Sequence, residues 1–182
     1  MATTYDLLGT AEADGSAVAL TVSAIPQTYD DLVIFMTGYS LGSSGTTTGT
    51  MRFNNSSSSI YDMQNMLLTD NSNQDDTETV AATSFTVAGW PSSTGSTFTE
   101  WGYIQIDVPN YTKANFGTDK HTAMTVQYLN NRDSQTTDGA TGLAGWGLEL
   151  DAAITEVNWI GHADGGNVNN GGSLKVYGIK NS

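Results

Sequence analysis

The chain is 182 residues long, 38% hydrophobic and only 14% charged, with a formal net charge of -13 from 19 acidic and 6 basic residues. A surface that acidic repels nucleic-acid phosphates and anionic membranes, so neither is expected as a partner, while cations or positive patches on other proteins are. Cysteine is absent, which excludes a disulfide frame and a thiolate metal site.

Charged residues usually make up about a quarter of a domain, so the polar surface must here be made of Ser, Thr, Asn and Gly. That composition suits strands joined by uncharged loops. The first strand-like run is Thr4-Tyr5-Asp6-Leu7-Leu8-Gly9-Thr10. Alternation with period 2 then places Val18, Leu20 and Val22 on one face of residues 16–24. Residues 31–39 are continuously apolar through Leu32, Val33, Ile34, Phe35 and Met36, as for a central strand covered on both sides. Weaker strand signals cover 50–53, 60–67 and 83–88; Ile60, Met63, Met66 and Leu67 also fit helical spacing.

In 101–108, Ile104, Ile106 and Val108 point inward, with Gln105 and Asp107 outward. Met124, Val126 and Tyr128 share a face of 121–128, and Trp146, Leu148 and Leu150 a face of 144–150. Runs at 154–160 and 174–179 complete the set. Short connectors such as Asp14-Gly15 and Asp151-Ala152-Ala153 suit hairpins. Longer polar loops are expected at 42–49, 54–59, 69–78, 91–99, 132–142 and 164–172.

The fold expected is therefore all-β: an antiparallel β-sandwich of jelly-roll type, about ten strands with little helix, in a single domain over 1–182. Strand-like runs at both ends leave little room for an anchor, shaft or leader. The start, Met1-Ala2-Thr3-Thr4, has neither the basic segment nor the apolar run of a secretory signal. No apolar stretch approaches the roughly 20 residues needed to span a bilayer.

Four motifs bear on chemistry. Gly38-Tyr39-Ser40-Leu41-Gly42 matches the G-x-S-x-G nucleophile elbow after an apolar strand. The elbow needs a helix directly after the serine, and Ser43-Ser44-Gly45-Thr46-Thr47-Thr48-Gly49 is a poor helix start, so a strand end running into a loop is the better reading. His121 and His162 are the only imidazoles, and neither sits in metal-ligand spacing or carries an independent mark of a general base. The segment from Asp70 to Glu78 collects oxygen ligands as calcium prefers, but without the spacing or turn glycine of an EF-hand, and a solvated acidic loop is expected. Glu100, Glu149 and Glu156 fit outward positions and form no glycosidase pair by sequence.

Trp90, Trp101, Trp146 and Trp159 raise sugar stacking against core packing. Packing suits Trp146 and Trp159, whereas Trp90, between Gly89 and Pro91, is expected to be exposed. Asn54-Asn55-Ser56 and Asn110-Tyr111-Thr112 are sequons without meaning in the absence of a signal peptide.

The order of several segments resembles a family of small bacteriophage virion proteins, abundant among phages of cyanobacteria and other aquatic bacteria. The matching pieces are Tyr5-Asp6-Leu7-Leu8-Gly9-Thr10, Ile25-Pro26-Gln27-Thr28-Tyr29-Asp30-Asp31-Leu32-Val33, Met51-Arg52-Phe53-Asn54-Asn55 and Ile60-Tyr61. They continue with Val108-Pro109-Asn110-Tyr111, Ala152-Ala153-Ile154-Thr155-Glu156-Val157 and Gly172-Ser173-Leu174-Lys175-Val176-Tyr177-Gly178-Ile179. The resemblance implies a jelly-roll-like sandwich on a virus particle, with no catalytic residues to carry over. The acidic segment 70–78 has no counterpart in it.

Expectations follow for function. The chain is read as a capsid decoration or cement protein, not an enzyme, made in the bacterial host cytoplasm and carried on the virion. Its partners would be the major capsid protein and copies of itself, most simply as a homotrimer; no cofactor or metal is expected. The alternative is a tail or fibre tip module gripping host glycans, and a remote one is a serine hydrolase using Ser40. Tyr39, Trp90 and Arg132 are the single residues expected at interfaces, because aromatics and arginine dominate hot spots.

Overall fold

A computed structural model describes residues 4–41, 45–69, 74–93, 101–112, 122–130, 140–161 and 167–181. They form only strands: β1 (Thr4–Glu12), β2 (Ala19–Val22), β3 (Asp31–Gly38), β4 (Ser40–Leu41), β5 (Gly45–Phe53), β6 (Tyr61–Thr69) and β7 (Gln74–Ala82). These are followed by β8 (Phe85–Ser93), β9 (Gly102–Val108), β10 (Thr122–Asn130), β11 (Ala140–Leu148), β12 (Val157–Ile160), β13 (Asn167–Val168) and β14 (Ser173–Lys180). Among the described residues there is no helix, and so none long and apolar enough to cross a membrane.

The strands pair into two sheets. The large sheet runs β1-β14-β3-β9-β10-β11-β6-β7 and the small one β13-β4-β8-β5-β12-β2. All described ladders are antiparallel except the two-residue pairing of β4 with β8. The first and last strands pair with each other, from Thr4 opposite Lys180 to Glu12 opposite Ser173. The molecule is an antiparallel β-sandwich, as the alternation predicts.

Alternation also fixes which face is buried. Ile104, Ile106, Val108, Met124, Val126 and Leu148 are all inside, each 3% exposed or less. Leu150, expected with them, lies beyond β11 and is only half-buried against the core. On β2, Leu20 and Val22 are buried, but Val18 precedes the strand at a bend and is 54% exposed. The apolar run of β3 is explained by its place between β14 and β9: Leu32, Ile34 and Met36 enter the core, while Val33 and Phe35 lie on the other face. Aromatic packing joins the sheets, with Phe85 of β8 stacked on Trp146 of β11 at 4.3 Å and 9°.

The segments 25–33, 51–55, 108–111 and 152–157, distant in sequence, meet at one end of the sandwich. The Asn54 side chain accepts from the backbone N–H groups of Thr155 (2.8 Å) and Glu156 (3.1 Å) and donates to the Ala153 carbonyl (2.8 Å). The Gln27 amide donates to the carbonyls of Ile25 and Ile154, both at 2.9 Å, and Tyr111 donates its hydroxyl to Pro26. Asn54 and Asn55 hold positive φ of 51° and 50°, a conformation asparagine tolerates better than most residues. These hydrogen bonds cap the backbone where chains leave the sheets, which gives these segments an architectural role.

Several sequence expectations need correction. Asp14-Gly15 and Asp151-Ala152-Ala153 do not close hairpins: β1 and β11 belong to the large sheet, β2 and β12 to the small one, so both connectors arch between layers. Residues 60–68 resolve their ambiguity as strand β6. The expected loop at 69–78 is largely strand, since β7 begins at Gln74. An edge strand with polar residues on both faces has no hydrophobic alternation to detect. The expected loops at 42–49, 91–99, 132–142 and 164–172 are likewise shortened by β5, β8, β11 and β13.

Candidate binding face

The outer surface of the large sheet divides into two halves. Over β14, β3 and β9 it is aromatic. Register places Phe35 opposite Lys175 on one side and Gln105 on the other, with Tyr177 and Asp107 flanking Val33 in the next row. The Phe35 ring meets Tyr177 edge-on at 5.6 Å and tilts against Tyr103 at 6.0 Å. Beside them the Tyr103 hydroxyl donates to Gln105 (3.2 Å), whose amide reaches the Asp107 carboxylate (3.3 Å). Partial burial, with the nearby Asp107 charge as a smaller cause, pushes the Tyr103 hydroxyl above its ordinary pKa, so it remains a donor.

Over β10, β11 and β6 the face is open. Inward Ala144 and Trp146 fix the phase of β11, so Leu143 and Gly145 point outward. Across from Gly145 stand Thr125 of β10 and Gln64 of β6, both exposed. A side chain at Gly145 would meet nothing within 4 Å. The result is a shallow cavity of about 350 Å³ bounded by Gln64, Met66, Leu143 and Gly145. A second hollow of about 150 Å³ shares Gln64 and Gly145 and continues toward Glu78 and Val80. Leu143 (53%) and Met66 (42%) form an apolar wall, and the exposed Gln64 amide can supply hydrogen bonds. Such a trough can grip a side chain or a small polar group by contact.

The residues singled out by sequence fall in three places. Tyr39, just past β3, meets Trp101 edge-on at 6.0 Å and 88°. Its N–H donates to the Asn169 side chain at 2.7 Å. Trp90 is the clear correction: it is 2% exposed, packed on Trp159 at 4.7 Å, because β8 lies inside the small sheet and turns the ring into the core. Trp101, at 45% exposure, is the open tryptophan instead. Arg132, His121, His162 and Glu100 lie outside the described residues.

Ser40 lies in β4, paired with Val168 and Ser92, and β5 begins at Gly45, so the strand-to-helix geometry of a nucleophile elbow is not formed. Glu149 is exposed, and Glu156 accepts a hydrogen bond from Asn158 at 2.8 Å. Of the acidic segment, residues 70–73 lie outside the described residues and the rest belongs to β7. Among the described residues no group of three or more His, Cys, Asp or Glu side chains is placed to hold a metal ion.

Sequence reading missed the open half. Its signal was present in Thr141-Gly142-Leu143-Ala144-Gly145-Trp146-Gly147-Leu148, where Leu143 is out of phase with Trp146 and Leu148. Assigning 132–142 to a loop cut the strand before that pattern could register.

No protein-family model matches the chain, and no curated protein matches it. Among solved structures it is similar to a crystal structure of the Emp47p carbohydrate recognition domain, at 13% identity and a TM-score of 0.32 over 97% of this chain and 94% of that one. A superposition that loose carries no argument.

Proposed function

We propose that this chain is a structural protein of a bacteriophage particle, a jelly-roll-type decoration or cement protein that joins neighbouring capsomers by surface contact, with the outer face of the large sheet as its contact surface. The observation that carries the contact surface is Gly145, an exposed mid-strand position where an added Cβ would meet nothing within 4 Å. Glycine inside a strand weakens it, so a bare, uncrowded position is a stability cost that a docked partner would offset. The ordered segment resemblance supports the virion setting. Size supports the mode of action: eight strands about 4.8 Å apart and roughly 23 Å long present about 800 Å², one partner's share of a standard interface.

In this reading the partners are the major capsid protein and further copies of the chain, assembled as a trimer around a capsid symmetry axis. Contact across capsomer boundaries would hold the shell against internal pressure without any chemical step. Imaging of intact particles tests it: many copies distributed over the head support a cement role, and a few at the tail overturn it. Particles depleted of the protein should also lose heat resistance.

A second reading has its own observation. Phe35, Tyr103 and Tyr177 beside the chain of hydrogen bonds from Tyr103 through Gln105 to Asp107 place ring surface next to planar amide and carboxylate groups. Sugars are gripped by that combination, as a tail or fibre tip module would require. A glycan array separates the readings: saturable binding abolished by Phe35→Ala favours the tip module, and no binding removes it.

A further inference from the structure

Among the described residues the two sheets end in four edges: two are short, and one packs against the other sheet over part of its length. β1 shifts register between Leu7 and Gly9, and a Cβ at Gly9 would lie 2.5 Å from Val22 of β2, so that part of β1 packs onto the small sheet's last strand, while Thr4 to Leu7 stay exposed. β2 itself has four residues and β13 two. The fourth edge is different. β7 has nine residues and pairs only with β6 in its sheet; residues 77–81 are all exposed, Val80 by 66%. One end of this edge is capped, because Ala81 turns to a φ of 54° and its N–H donates to the Asp62 carboxylate at 2.7 Å. From Gln74 to Val80 no described strand pairs with the outer side of β7.

We propose that β7 is a strand-addition site for an extended, basic segment of a protein partner. The unpaired ladder supplies hydrogen bonds, as in other strand-addition complexes, and the charge of the strand selects the occupant. Asp75, Asp76 and Glu78 stand in it with no Lys or Arg. A second copy of β7 is disfavoured, since like charges opposite one another on paired strands destabilise the pair. The same acidity protects the edge from indiscriminate pairing, a usual use of charge on edge strands, and a basic strand reverses its sign. Glu78, exposed, lies opposite Gln64 on the face that carries the trough, and in the register Asp76 falls opposite Met66. The partner segment should therefore carry Lys or Arg at every second position, alternating with small or β-branched residues that meet Thr77 and Thr79. This inference rests on the edge of the sheet and holds or fails independently of the contact surface proposed above.

The test uses the whole chain and a labelled peptide alternating Lys with Thr and Val, at low ionic strength. Fluorescence anisotropy should show saturable binding. Methylating alternate backbone amides of the peptide, which leaves its charge intact, should weaken binding roughly tenfold or more, because ladder bonds are lost. Asp76→Lys combined with Glu78→Lys should weaken it by a similar factor while the melting temperature holds. Hydrogen exchange of residues 74–80 should slow on binding, and that of β12, interior to the small sheet, should not. Absence of saturable binding overturns the proposal. So does equal affinity for the methylated peptide, which would mean charge adsorption alone.

Discussion

Gly49 and Gly145 both sit within strands, and the contrast between their surroundings separates packing from function. Gly49, in β5, is buried under the tryptophan pair: a Cβ there would lie 2.5 Å from Cζ2 of Trp159 and 3.2 Å from Cγ of Trp90. Glycine is required because two large rings from neighbouring strands need the space. Gly145, in β11, has no atom within 4 Å of where its Cβ would be, and its φ lies outside the left-handed region. Among the described residues nothing requires glycine there. The first position is explained by the molecule alone, and the second is open, where the proposed contact surface lies.

The largest effect that would sharpen this contrast belongs to the core side. Trp90→Ala should cost about 3–5 kcal/mol in denaturant unfolding, the range for deleting a buried aromatic. A loss below about 1 kcal/mol would return Trp90 to the surface. Next, Gly49→Ala should cost about 1–3 kcal/mol, as overpacking against rings that cannot yield does.

Smaller, and separable by pH, is Tyr61→Phe. The Tyr61 hydroxyl donates to the Ser56 carbonyl at 2.8 Å and accepts from the Phe53 N–H at 3.2 Å, and burial raises its pKa above the ordinary tyrosine value. A raised folded-state pKa contributes stability that is fully present below the unfolded tyrosine pKa of about 10 and is lost as pH rises through the folded value. The substitution should lower stability by about 1 kcal/mol at neutral pH and flatten the alkaline decline. Tyr103 and Tyr111, raised by burial, and Tyr29, raised by its hydrogen bond to Asp6, keep part of that decline. An unchanged alkaline slope would contradict the assignment to Tyr61.

The smallest effect on stability is the most telling. Gly145→Ala should leave the fold within about 0.5 kcal/mol of the wild type or strengthen it by up to about 1 kcal/mol, because a strand glycine is replaced without a clash. A substantial loss would mean that the glycine has a packing role after all.

What could be read from sequence follows the same division. Strands with one buried face were legible, because Ile104, Ile106 and Val108 or Met124 and Val126 alternate as the core demands. The edge strand β7 was not, since Asp75 to Thr79 are polar on both faces and period-2 hydrophobicity has nothing to mark. Trp90 was misread because the Gly89-Trp90-Pro91 context resembles a strand end. Proline can sit in β8 where the register with β5 shifts, between Thr47 and Gly49, close to Thr46 opposite Pro91. The open half of the face was hidden for another reason. Exposed Leu143 and bare Gly145 are meaningful only beside Gln64 and Met66, which the β6–β11 pairing brings from nearly eighty positions away along the chain.

The most direct test of the contact surface fills the trough without disturbing the fold. Gly145→Trp, in open space on the outer face, should leave the melting temperature near that of the wild type while weakening association with particles lacking the protein by about tenfold or more, the scale of a blocked interface centre. Binding at wild-type affinity by a folded Gly145→Trp protein would show that this face is not where the chain makes its contacts.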